Sequence, residues 1–152
     1  MRRLRAYPDT SVFGGCYDPE FEFASGRFFH QVTTGRFLLV LSDVTGDELS
    51  GAPLQVRQIL EGISPASVEQ VDVTPECLTL QAAYLRAKVV TDKSAADALH
   101  IACATVWQAD LVVSWNFKHI VRFDRIAGFE GVNTLLGYRS PRIYSPQEVI
   151  GI

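Results

Sequence analysis

The chain has 152 residues, is 47% hydrophobic and carries a formal net charge of −3, enough for one globular domain spanning 1–152 that buries a full core without staples. The weak negative charge argues against blanket coating of nucleic acid. Three cysteines, Cys16, Cys77 and Cys103, stand far apart with no CxxC or Cys/His ligand spacing, which disfavours a disulfide scaffold or a zinc site and fits a reducing cytoplasm.

The opening Met-Arg-Arg-Leu-Arg is basic, yet no apolar segment follows it before Pro8 and Asp9, so no export signal is expected. Leu4 to Tyr7 forms a short strand, ended by Pro8, which lacks a ladder donor. Pro19 opens a helix to Thr34 with Phe21, Phe28, Phe29 and Val32 on its inner side and Gly35 as its stop. Phe37–Leu41 is a continuous apolar run, the pattern of a strand buried on both faces and far too short to cross a membrane. Ser42 or Asp43 caps a helix that carries Glu48 and ends near Gly51, and Pro53 starts another that Gly62 closes. Val68–Val73 alternates as a strand, Thr74-Pro75-Glu76 opens a helix to Ala87, and Ser94 caps a helix over Ala95–Gln108. Leu111–Ser114 is the next buried strand. One or two short helices follow Phe117, then a strand at Arg142–Tyr144 and a last turn at Pro146–Val149. No repeat or linker interrupts this order. Strands alternating with helices predict an α/β fold with a central, mainly parallel sheet, in which ligands bind beyond the carboxyl ends of the strands.

That topology gathers four oxygen-bearing side chains at one edge. Asp9 lies past the first strand and Asn116 past the strand at 111–114, Glu48 sits early in the helix after the strand at 37–41, and Asp97 occupies the first turn of the helix feeding 111–114. Clustered carboxylates without matching cations are electrostatically costly, and a divalent metal is the usual way to offset them. Metal-dependent chemistry on an anionic substrate such as a phosphodiester is the expectation that follows.

Four blocks in register carry a family resemblance: Tyr7-Pro-Asp-Thr-Ser-Val-Phe-Gly-Gly15, Ser42–Leu49 with its Glu, Asp97-Ala-Leu-His-Ile-Ala-Cys-Ala104, and Leu111-Val-Val-Ser-Trp-Asn-Phe-Lys-His-Ile120. Together they resemble the PIN-domain family, in particular VapC-like toxins of bacterial type II toxin–antitoxin pairs, over nearly the whole chain. The resemblance implies a three-layer α/β/α sandwich (PIN-like) and a ribonuclease dependent on Mg²⁺ or Mn²⁺, with Asp9, Glu48 and Asp97 as its first three acids. Its fourth position is often Asp; here Asn116 stands there, able to ligate through its carbonyl but bringing no charge. An RNA substrate, a small antitoxin partner that blocks the acidic pocket, and a homodimer are implied by the resemblance as well. A catalytically weakened scaffold module is the alternative, and a DNA-directed or phosphatase-like hydrolase a third possibility.

Each candidate has a plainer role beside the functional one. Asp9 can cap the turn that follows it. Ser94-Ala-Ala-Asp97 has capping-box spacing. Asp47 competes with Glu48, whose preference rests on the family's Glu-Leu pair. His100 shares a helix face with Asp97 one turn away and supports a ligand or packs in the core. Thr10 and Ser11 hydrogen-bond a ligating carboxylate or substrate, or form the turn. Ser114 belongs to the same supporting group, and Lys118 and His119 touch substrate phosphate or form a solvated loop pair. Arg2, Arg3, Arg5, Lys118, Arg122 and Arg125 are candidates for a local basic rim. Trp115 is open between packing and contact with a base, whereas Phe21, Phe28, Phe29 and Trp107 are core or interface aromatics. Gly14-Gly15 lacks the pattern of a phosphate-cradling loop.

Overall fold

A computed structural model of the chain describes residues 2–151; the ends of the expected domain, Met1 and Ile152, lie outside the described residues. The five strands are β1 (Leu4–Pro8), β2 (Phe37–Ser42), β3 (Val68–Val71), β4 (Leu111–Val113) and β5 (Arg142–Tyr144). All pair in parallel, in the order β3-β2-β1-β4-β5. The strand expected to neighbour β1 does so: Ala6 pairs with Leu111, Tyr7 with Val112 and Pro8 with Val113. Pro8 thus belongs to the strand, and Asp9 follows it directly.

Among the described residues, eight α-helices cover the sheet: α1 (Thr10–Gly15), α2 (Glu22–Thr33), α3 (Asp43–Ser50), α4 (Leu54–Glu61), α5 (Pro75–Arg86), α6 (Ala95–Val106), α7 (Phe123–Leu135) and α8 (Pro146–Val149). The period of two along each strand divides their side chains between two cores. Ala6, Leu39, Leu41, Leu111 and Val113 pack on one face against Val12, Phe13, Phe28, Phe29, Val32, Leu49, Val56 and Val149. Tyr7, Val40, Val112 and Ile143 point to the other, against Leu80, Tyr84, Ile101, Cys103 and Phe129. The result is a three-layer α/β/α sandwich. Strands covered on both sides need apolar residues at nearly every position, which is why Phe37–Leu41 has no polar interruption. Among the described residues, no helix is long and apolar enough to cross a membrane.

Several boundaries depart from expectation. The helix expected from Pro19 begins at Glu22, and α1 intervenes before it, a short helix that Gly14-Gly15 disguises as a turn. β3 stops at Val71, and the single α7 replaces one or two short helices. Thr74 caps α5 as expected, accepting from Cys77 N at 3.3 Å. Ser42 stands at the N-cap of α3 with extended backbone, yet makes no side-chain cap bond; its hydroxyl is engaged elsewhere. Cys103 is fully buried, and burial pushes its thiol pKa up to about 12.

The seam between α1 and the loop after β4 is tight. A Cβ on Gly15 would lie 2.5 Å from Ser25 Oγ and 2.6 Å from Trp115 Nε1. Trp115 Nε1 donates to Ser25 Oγ at 2.8 Å, so neither atom is free to yield. Gly15→Ala is expected to lower stability by about 1–3 kcal/mol, the usual cost of overpacking, as measured by urea denaturation; an unchanged midpoint would mean the seam relaxes without strain.

Candidate functional site

The carboxyl edge of the sheet receives Asp9 directly from β1. Its backbone N–H donates to Val113 O at 3.0 Å, continuing the β1–β4 ladder. Its side chain caps α1, accepting from Ser11 N at 3.2 Å. Ser11 Oγ donates to the same oxygen, Oδ1, and Ser114 Oγ donates to Oδ2 at 2.7 Å. The capping role foreseen for Asp9 is therefore real, and it leaves carboxylate lone pairs unused, since two oxygens offer about four acceptor sites. Asp9 is 5% exposed. Burial pushes its pKa above the ordinary carboxylate value; His100 and the two serine hydroxyls pull it down, and the charge of Asp97 adds to the rise.

Asp97 lies in the first turn of α6. The capping box expected around it does not form. A single 3₁₀ turn over Asp92–Ser94 leads into α6, so Ser94 takes φ −107° and ψ 25°, away from the extended geometry a capping side chain needs, and makes no cap bond. Asp97 is thereby released from the role that competed most directly with ligation. Burial raises its pKa. His119, His100 and the nearby Asn116 amide oppose that rise, and Glu48 reinforces it. The carbonyl oxygen of Asn116 accepts from His119 N at 2.9 Å, which ties the amide to the loop.

Glu48 projects from α3. Thr10 Oγ1 donates to its Oε1 at 2.8 Å, and His100 Nε2 meets the same oxygen. The hydrogen bond from His100 is the main reason that the Glu48 carboxyl titrates below its ordinary value, against a smaller opposing effect of burial. Asp47 makes none of these side-chain contacts; its backbone carbonyl accepts from Ser50 Oγ at 2.6 Å. Behind His100, Nδ1 lies 2.7 Å from Tyr7 OH, which in turn lies 2.6 Å from Ser42 Oγ. A carboxylate only accepts, so Nε2 carries the proton toward Glu48. In the neutral ring Nδ1 then accepts from Tyr7, and Tyr7 from Ser42. Burial keeps the Tyr7 phenol protonated by driving its pKa well up. Tyr7 and Ser42 escaped the sequence reading. The available signal was a tyrosine inside an apolar strand, because a buried phenol needs a partner.

The remaining candidates divide. Thr10, Ser11, Ser114 and His100 all touch one of the acids, and His119 lies near enough to Asp97 to lower its pKa. Lys118 is exposed on the same loop. The basic rim does not assemble at this edge. Arg2, Arg3 and Arg5 stand at the start of β1, the opposite edge, where Arg2 pairs with Asp110 and Arg5 with Glu69, both at 2.8 Å. Arg122 pairs with Asp124 at 2.8 Å, and Arg125 Nη1 donates to Val89 O at 2.7 Å. Trp115 is packing: it stacks on Phe21 with ring centroids 4.1 Å apart.

Asp9, Glu48 and Asp97 stand at the carboxyl edge of the sheet, where the charge of Asp97 raises the pKa of Asp9 and the charge of Glu48 raises that of Asp97. Carboxylate oxygens are hard donors of the kind that divalent cations prefer. The donors do not form a closed ligand set: among the described residues, no three His, Cys, Asp or Glu groups are arranged to hold an ion by themselves.

No family model and no curated protein sequence matches the chain. Solved structures do. The crystal structure of VapBC2 from Rickettsia felis, bound to a DNA fragment from their promoter, superimposes with a TM-score of 0.59 at 13% identity, covering 93% of this chain and 98% of that one. DNA-bound VapBC from Salmonella typhimurium gives 0.55 at 19% identity, covering 94% and 98%. At such identities the likeness is one of fold: the chain has the PIN-like α/β/α architecture.

The electrostatics make a prediction about stability. A carboxyl whose folded pKa exceeds its unfolded value of about 3.9 holds its proton more tightly when folded. Its ionisation therefore costs stability, by nothing below the unfolded pKa and in full above the folded one. Asp97→Asn is expected to raise the thermal midpoint at pH 8 in chelator by roughly 1–3 °C, with the gain fading as pH falls toward about 4. Thermal denaturation across that range checks it; a midpoint at pH 8 equal to or below that of the unaltered protein would show that Asp97 is structurally paired.

Proposed function

We propose that this protein is a metal-dependent endoribonuclease that hydrolyses RNA phosphodiester bonds, acting as the toxin of a type II toxin–antitoxin pair. The observation that carries the reading is the convergence of Asp9, Glu48 and Asp97 at the carboxyl edge of the sheet, with Asp9 and Asp97 pushed up by burial and by neighbouring carboxylates. Among the described residues neither is in a salt bridge. The PIN-like fold shared with VapBC complexes supports the reading, and with it a cognate antitoxin; a homodimer and a cytoplasmic setting are part of the same proposal.

In this reading Asp9, Glu48, Asp97 and Asn116 would hold Mg²⁺ or Mn²⁺ through their oxygens, with water completing the set. When bound, such a cation neutralises charge developing on the phosphoryl group and polarises the P–O bonds. The chain supplies positioning. Ser11 and Ser114 fix the plane of the Asp9 carboxylate, Asn116 lowers the pKa of the neighbouring Asp97, and the hydrogen bond from His100 orients Glu48 and keeps its carboxyl below the ordinary range. Holding the donors on strand and helix termini rather than on long loops limits reorganisation when the anionic substrate arrives.

A second reading, a PIN-like scaffold with weakened catalysis, is favoured by one feature. Glu48 Oε1 already serves Thr10 and His100, and Asn116 Oδ1 already serves His119 N. Calorimetric titration with Mn²⁺ separates the two, since a scaffold shows no binding at millimolar metal.

Asp9→Asn and Asp97→Asn are each expected to reduce RNA cleavage by about 100-fold or more, the scale set by losing a few kcal/mol of metal-borne charge stabilisation, while circular dichroism stays native. EDTA is expected to do the same to the unaltered protein. Undiminished cleavage in EDTA, or in a folded Asp97→Asn protein, overturns the proposal.

A further inference from the structure

The side chains of the loop leaving β4 differ in burial. Ser114 Oγ donates to Asp9, and Asn116 lies near enough to Asp97 to lower its pKa. Trp115 turns inward, 8% exposed, stacked on Phe21 and tied to Ser25. Phe117 turns outward and leaves 50% of its surface open. A tight turn sets its position, with Phe117 N donating to Trp115 O at 2.9 Å, and its ring rests against the indole at 6.1 Å and 68°. Lys118 follows, exposed and, among the described residues, in no ion pair.

An exposed aromatic ring held by a buried one, next to a lone cation and one residue from Asn116, has the elements of a single-strand nucleic-acid contact. The ring offers stacking to any base, and the ammonium offers charge to the flanking phosphate. Consecutive Cα atoms lie about 3.8 Å apart, so Phe117 starts from a backbone position next to that of Asn116. A base inside a duplex is stacked on both sides and its face is closed to such a contact. We infer that Phe117 is a stacking platform and Lys118 its phosphate partner, so that the RNA enters this site single-stranded, with an unpaired base seated on Phe117. The inference rests on the proposed nuclease reading for its choice of RNA and extends it to the state of the substrate.

Fluorescence anisotropy with labelled, random-sequence single-stranded RNA, in the Asp97→Asn background with Mg²⁺, tests it. Phe117→Ala is expected to weaken binding roughly tenfold or more, the range of one base–aromatic stack. Phe117→Trp is expected to bind within about twofold of the parent, because stacking is sequence- and ring-tolerant. A hairpin stem of the same composition should show no difference between Phe117→Ala and its parent. Lys118→Ala should lower the salt slope by about one charge. Single-strand binding within twofold in Phe117→Ala, or equal losses for strand and stem, overturns the platform. If that happens while the unaltered protein cleaves RNA in a metal-dependent way, the nuclease reading stands without it. Phe117-dependent strand binding with no cleavage in the unaltered protein upholds the platform and removes the nuclease.

Discussion

A carboxylate at 5% exposure at the junction of β1 and α1 is the constraint on which the rest of the edge depends. Burying an ionised group without donors costs several kcal/mol, so Asp9 must be surrounded by hydrogen-bond donors to be tolerated there. Two serines from distant parts of the chain provide them, and each is itself tied to the backbone of the loop after β4. Trp115 N donates to Ser11 Oγ at 3.0 Å and Asn116 N to Ser114 Oγ at 2.9 Å. The network that makes Asp9 bearable also locks the loop that carries Asn116, Phe117 and Lys118. Site geometry and local stability are therefore one problem with one solution.

His100 performs the corresponding task on the other side. It is buried, its ring packs edge-on against Tyr7 at 5.6 Å, and its two nitrogens join the sheet interior to Glu48. A fully satisfied buried polar chain of this kind is stiff, because breaking any link strands a donor or acceptor in low dielectric. The three acids consequently differ in character: Glu48 is held below the ordinary carboxylate range, while Asp9 and Asp97 are held above it. A site whose carboxylates are displaced in opposite directions by specific neighbours is more characteristic of chemistry than of packing.

The legible part of the fold was its order. The apolar run Phe37–Leu41, the strand at Leu111, and the helices around Cys77 and Ile101 fall where the pattern placed them, because doubly buried strands and helices with long apolar faces leave strong local signals. Helix α1 was hidden, since its six residues include adjacent glycines with low helix propensity and its N-cap is the very acid read as a ligand. The capping box at Ser94 failed for a complementary reason: spacing specifies which residues can meet, but the 3₁₀ turn before α6 sets a backbone angle that prevents them from doing so. The arginines around the start of β1 are candidates for a local basic rim in the sequence, and strand direction carries them to the edge opposite the acids.

From the sequence, the alternation of strands and helices placed Asp9, Glu48, Asp97 and Asn116 at one edge of a parallel sheet, because ordered α/β crossovers bring strand ends and helix starts to the same side, while the preference for Glu48 over Asp47 rested on the family resemblance. Tertiary structure decided what each of them does there. The contact of Ser114 with Asp9 spans 105 positions, and those of His100 with Tyr7 and Glu48 span 93 and 52. Such bonds leave no periodic trace, since a hydroxyl or imidazole is recruited by whichever group the packed layers bring within about 3 Å. Their energetic weight comes from the exclusion of water, which exists only once both faces of the sheet are covered.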